Sequence, residues 1–171
     1  MKLIKPVFLL ALLVLCLWAC SQKEKISEYN KSAAEKIMKK DYKGAIEDLT
    51  KIIELKPNDT AAYFGRALTK LTAEDYKGAL EDYNKTIELN PKEGWAYFDR
   101  GNTKARLKDL KGAIEDYNKA LEINFGNSQA MLNRGDCKLA IGDTTGACAD
   151  YKSAVELGNT QAAEALKATC K

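Results

Sequence analysis

Apolar and polar positions divide this chain into two unlike parts. From Val7 to Trp18 it is almost continuously apolar, behind Lys2 and Lys5, and the run closes on Leu17-Trp18-Ala19-Cys20. That is shorter than the roughly 20 residues a spanning helix needs, and its basic start and small residue before Cys20 predict a secretory signal peptide over 1–19. Residues 20–25 read as a short solvated tether, five residues after Cys20 spanning roughly 17 Å when extended. From Ile26 onward apolar residues recur at helical spacing, and the pattern repeats every 34 residues. Gly44-Ala45-Ile46-Glu47-Asp48-Leu49 returns as Gly78-Ala79-Leu80-Glu81-Asp82-Tyr83, then as Gly112-Ala113-Ile114-Glu115-Asp116-Tyr117, then as Gly146-Ala147-Cys148-Ala149-Asp150-Tyr151. Each copy follows a polar turn carrying Asp41, Asp75, Asp109 or Asp143, a residue type that accepts from the free N–H groups of a helix start. Pro57 and Pro91 close the first two units. Each unit is therefore two helices and a turn. A single pair of amphipathic helices cannot bury its own apolar faces, so the units must stack into an all-α solenoid.

Composition removes several kinds of chemistry. The 171 residues include no histidine, so there is no Ser-His-Asp or Cys-His pair and no imidazole switch near neutral pH. With 27 Lys+Arg against 24 Asp+Glu, the net charge of +3 is small and evenly spread, which points away from nucleic acid as a partner. Carboxylates are abundant but recur with the repeat, so architecture explains their spacing. The glycines sit singly at repeat positions and build no phosphate-cradling loop. No catalytic residue, cofactor, metal site or small-molecule substrate is expected, and the chain reads as a non-enzyme.

The 34-residue unit resembles the tetratricopeptide repeat, with units at 26–59, 60–93, 94–127 and 128–161 and a C-terminal capping helix at 162–171. The small residue of the family's first helix matches Ala33, Ala67, Gly101 and Gly135, and the alanine of its second helix matches Ala45, Ala79, Ala113 and Ala147. The later aromatic matches Tyr83, Tyr117 and Tyr151, with Leu49 in the first copy; the closing proline matches Pro57 and Pro91 but is Phe125 and Asn159 in the last two. Those two junctions are expected to be less regular. The resemblance implies a right-handed superhelix, with Ala162, Ala163 and Leu166 as the inner face of the capping helix. The segment ending at Cys20 is similar to the bacterial lipoprotein lipobox, which implies cleavage before Cys20 and its acylation, palmitate included. Ser21 beside it resembles the outer-membrane sorting pattern, facing the periplasm.

A second ladder lies outside the family pattern: Arg66, Arg100 and Arg134 recur at 34, as do Asp48, Asp82, Asp116 and Asp150. An arginine there without a carboxylate would be costly, so the two sets are expected to pair and fix register, within a repeat or across a junction. Export to an oxidising compartment gives the remaining thiols a disulfide reading. Cys148 and Cys170 are symmetric about the turn at Asn159, and Cys137 and Cys148 nearly so about Gly142-Asp143. The first pairing is favoured because it clips the end most prone to fray, leaving Cys137 as a buried thiol.

Resemblance also implies a concave groove lined by Phe64, Leu68, Trp95, Phe98, Asp99, Asn102, Leu132, Asn133 and Asp136, with Phe98 and Trp95 as anchors. This lining lacks the matched Lys and Asn set of family members that clamp a C-terminal carboxylate. The expected role is a membrane-tethered interaction scaffold of the bacterial envelope that holds a peptide or helix of another envelope protein. The alternative is a structural subunit of an envelope assembly or secretion complex.

Overall fold

A computed structural model describes residues 4–124 and 126–170, with side chains from Trp18 onward. Among these residues there are nine α-helices and no strand: α1 (Ile4–Met38), α2 (Tyr42–Leu55), α3 (Thr60–Thr72), α4 (Tyr76–Leu89), α5 (Gly94–Arg106), α6 (Leu110–Ile123), α7 (Ser128–Ala140), α8 (Thr144–Glu156) and α9 (Thr160–Thr169). Every helix packs on its neighbours in sequence, and α5 also touches α3 and α7. That pattern is a helical solenoid, with α3, α5 and α7 side by side along one face.

The turn inside each repeat solves both helix ends with one residue. Asp41, Asp75, Asp109 and Asp143 accept from the N–H groups of Gly44, Gly78, Gly112 and Gly146 through their carboxylates. Their own N–H groups donate back to the carbonyls of Lys36, Lys70, Lys104 and Lys138. The residue just before each aspartate is left-handed: Lys40, Glu74 and Lys108 at φ 61°, 63° and 66°, and Gly142 at φ 89°. This closes the first helix and caps the second in two consecutive residues. Asp59, Asn127 and Asn159 cap α3, α7 and α9 in the same manner, whereas Glu93 makes no side-chain cap for α5.

The core is small residues against tyrosine. Ala45, Ala79, Ala113 and Ala147 are fully buried, and Tyr83, Tyr117 and Tyr151 fill the space beside them. A Cβ on Gly101 would lie 2.9 Å from Tyr117 Cε1 and one on Gly135 2.6 Å from Tyr151 Cε1, so glycine sets how closely those helices approach.

Four expectations need correction or restriction. Residues 20–25 are not an extended tether but part of α1, which runs unbroken through Cys20. The fourth junction does differ, with α8 one residue shorter than α2, α4 and α6 and Gly158 left-handed at φ 82°. Phe125 lies outside the described residues. The capping helix starts at Thr160 and so straddles the expected boundary at 161; Ala162 is buried and Leu166 packs inward, but Ala163 faces solvent and Ala165 takes the inner place.

Candidate binding groove and register ladder

Helices α5 and α7 flank a cleft of about 550 Å³. Four of the expected groove residues meet there: Phe98, Asn102, Asn133 and Asp136. The wall also includes Leu71, Ala105, Arg106, Gln129, Tyr117 and Cys137, which the sequence reading left out. Tyr117 belongs to a second helix of a repeat and reaches the cleft between two first helices, a placement visible only once the helices are packed. Leu71, Ala105 and Gln129 carried the signal of helical spacing from residues already named.

The aromatic anchors divide into floor and rim. Phe98 is 9% exposed and packs on Tyr117 at 6.0 Å between ring centres, while Phe64 packs edge-on against Tyr83 at 6.0 Å. Leu132 takes the same repeat position and is buried. Position 64, 98 or 132 therefore closes the core beneath the groove. Phe98, expected as an anchor, lies at the floor of the cleft. Trp95 is 55% exposed, stands edge-on to Phe98 at 5.8 Å and lies outside that cleft, beside Ala120 and Ile123 of α6.

Polar groups along the groove are linked by hydrogen bonds except at one junction. Asn102 Oδ1 accepts from the Tyr117 hydroxyl at 2.8 Å and from Asn133 Nδ2 at 2.8 Å, joining α5, α6 and α7. Asp136 Oδ1 accepts from the Tyr151 hydroxyl at 2.8 Å. One repeat earlier the residue at the place of Asn102 is Leu68, and the Tyr83 hydroxyl, fully buried, has no hydrogen-bond partner among the described residues. Asp99 stands there at the repeat position of Asn133. Burial pushes its carboxyl up to about 6, against the opposing pull of a hydrogen bond from Asn102. Burial also raises the Tyr83 phenol, with the charge of Asp99 adding to it.

The register ladder pairs within each repeat. Arg66 Nε and Nη2 donate to the two oxygens of Asp82 at 2.9 and 2.7 Å, Arg100 to Asp116 at 2.9 and 2.6 Å, and Arg134 to Asp150 at 2.9 and 2.5 Å. The third nitrogen, Nη1, crosses to the preceding repeat, where Thr50, Asn84 and Asn118 accept at 3.0, 2.7 and 2.7 Å. Each arginine thus serves both junctions that spacing alone left open. A second cation was missed: Lys70, Lys104 and Lys138 lie 2.8, 2.8 and 2.9 Å from the same carboxylates, and Lys36 lies 2.5 Å from Asp48. Their spacing of 34 was the available signal. Asp48, whose repeat has Ser32 in place of arginine, is pushed up by burial, but hydrogen bonds from Lys36 and Ser32 outweigh this and hold it below the usual range.

Cys148 and Cys170 form a disulfide with Cα atoms 5.8 Å apart, tying α8 to the end of α9. Cys137 is a buried free thiol that burial pushes up, and Cys20 is exposed. Among the described residues no helix is long and apolar enough to cross a membrane.

Tetratricopeptide repeat models match residues 39–94, 94–127 and 129–157, an almost unbroken stretch of the solenoid. The chain belongs to the tetratricopeptide repeat family. A search of curated proteins returns no match. Among solved structures, this TPR chain resembles MamA at a TM-score of 0.79 and 20% identity, covering 84% of this chain and 80% of that one. YrrB, described as a TPR protein with an unusual peptide-binding site, superposes at 0.69 with 22% identity over 78% and 70%. The first TPR of Spaghetti (RPAP3), bound to the HSP90 peptide SRMEEVD, superposes at 0.66 with 24% identity over 69% and 94%. At such identities the likeness shows the fold.

Proposed function

We propose that this TPR chain is an interaction scaffold of the bacterial envelope, anchored by lipid on Cys20 and holding a peptide or helix of another envelope protein in its concave groove. The observation that carries the binding role is the cleft between α5 and α7, where an apolar floor at Phe98 meets amide and carboxylate groups of Asn102, Asn133 and Asp136. A few fixed polar groups over an apolar base suit an extended chain, which brings its own backbone donors and acceptors. TPR neighbours of similar shape are described with peptide sites, which agrees with this use. Anchoring rests on the sequence around Cys20, its exposure, and the two or three acyl chains such a site receives, enough for stable attachment where one is marginal.

Two measurements test the halves separately. Metabolic labelling with a palmitate analogue should mark the chain and fail in Cys20→Ser; equal labelling would refute the anchor. A photoreactive residue in place of Gln129, exposed on the cleft wall, should capture an envelope protein in cells, whereas one in place of exposed Glu115, away from that wall, should not.

A further inference from the structure

The groove is chemically uneven along its length, and the unevenness points to a ligand. At the junction of α5 with α7, a buried tyrosine hydroxyl, a groove amide and a second amide close a chain of hydrogen bonds, Tyr117 to Asn102 to Asn133. At the preceding junction the same three positions are Tyr83, Leu68 and Asp99. Leucine breaks the chain. The Tyr83 hydroxyl is left buried without a partner, and Asp99 is a half-buried carboxylate with no basic side chain within ion-pair distance among the described residues. A buried hydroxyl with no partner is destabilising, and a partly desolvated, uncompensated carboxylate adds to that. Phenylalanine at 83 and asparagine at 99 would remove both costs.

The other buried aspartates of this chain are treated oppositely. Asp82, Asp116 and Asp150 each hold an arginine and a lysine. Among the described residues Asp99 and Asp136 form no ion pair, and the one basic residue on the wall of the neighbouring cleft is Arg106 at the end of α5. Among the described residues no group of three His, Cys, Asp or Glu side chains comes together to hold a metal ion.

We propose that the groove between α3 and α5 is a cation subsite that takes a lysine or arginine side chain of an extended peptide, held between the Asp99 carboxylate and the Tyr83 hydroxyl oxygen. The ammonium or guanidinium donates to both oxygens. Leu68, partly exposed above the hydroxyl by repeat equivalence, turns aside and packs on the aliphatic stem of the incoming side chain, with Phe64 beside it. The inference rests on the groove-binding reading above and adds to it the charge of the ligand.

The test uses the full chain and three acetylated, amidated peptide libraries of about nine residues, with Lys, Gln or Glu fixed at the centre and Ala, Leu, Phe and Ser mixed at the flanks. Binding is read by calorimetry and by Trp95 fluorescence. The Lys library should bind about tenfold tighter than the Gln library and the Glu library weakest. Asp99→Asn should abolish that preference, so that the Lys and Gln libraries bind this variant about equally. Tyr83→Phe, which loses only an unpartnered hydroxyl, should fold at least as stably as the wild type and yet weaken Lys-library binding several-fold. Binding with no preference for Lys, or a preference that survives Asp99→Asn, overturns the cation subsite and leaves the groove reading standing. No response to any library overturns both.

Discussion

Arg100 grips Asp116 with two nitrogens while Lys104 approaches the same carboxylate at 2.8 Å, so one buried anion is shared by two cations of the same helix. The pair also reaches backwards, since Arg100 Nη1 donates to Asn84 of the preceding repeat. Removing the anion should hurt more than removing one cation. Asp116→Leu is expected to lose roughly 3–5 kcal/mol and Arg100→Met roughly 1–3 kcal/mol, with the triple change Arg100→Met, Lys104→Met, Asp116→Leu recovering most of the loss. Urea unfolding of the set decides this. Equal loss in the two single variants would remove the shared-anion account.

Glu74 sits at φ 63° in the turn that Gly142 makes at φ 89°. A side chain there costs about 1 kcal/mol relative to glycine. Glu74→Gly should therefore raise stability by roughly 0.5–1 kcal/mol, and adding Lys40→Gly and Lys108→Gly should extend the gain. Thermal melts that show a loss for all three would mean that the turns tolerate their side chains at no cost.

The clip between Cys148 and Cys170 closes a separation of 22 residues. Chain entropy puts the stabilisation of such a loop at about 3 kcal/mol. Cys170→Ser should lower the unfolding midpoint and speed amide exchange in α9 above all, leaving α5 little changed. Uniform acceleration across the solenoid would be the contrary result.

Asp99 is expected to make stability depend on pH with an unusual sign. Its carboxyl is pushed up to about 6 from an ordinary 3.8, so the folded chain keeps a proton that the unfolded chain gives up. The stability it contributes when protonated is present at low pH and is lost as pH rises from about 4 through 6. Asp99→Asn should then gain roughly 1–2 kcal/mol over wild type near pH 7.5 and nothing near pH 4. A constant difference at both pH values would show that titration is not the cause.

The solenoid was legible because its period is exact in the sequence: the capping aspartates, the alanines and the tyrosines recur at 34, and each recurs in the fold with one role. The arginine ladder was legible for the same reason, but its direction was not, since one guanidinium spans two junctions and spacing registers only one number. Lys70 and Lys104 escaped notice because a lysine on a helix surface looks like solvation until its ammonium is seen turned onto a buried carboxylate. In the groove, Trp95 and Phe98 look alike in sequence, three residues apart and both aromatic. Only packing separates them, because Phe98 shares the repeat position of buried Leu132 and Trp95 does not. The open hydroxyl of Tyr83 was in principle readable from Leu68, Asn102 and Asp136 at one repeat position, once it is known that the tyrosine of the second helix points there.

Ser32 stands where every later repeat has an arginine, so the first repeat makes no backward grip, while the last is covered by α9 and covalently clipped. The solenoid is therefore mechanically polarised. Under tension or heat it should peel from the α1–α2 end towards the clip, one repeat after another, with the half of the molecule that carries α5 and α7 the last to open.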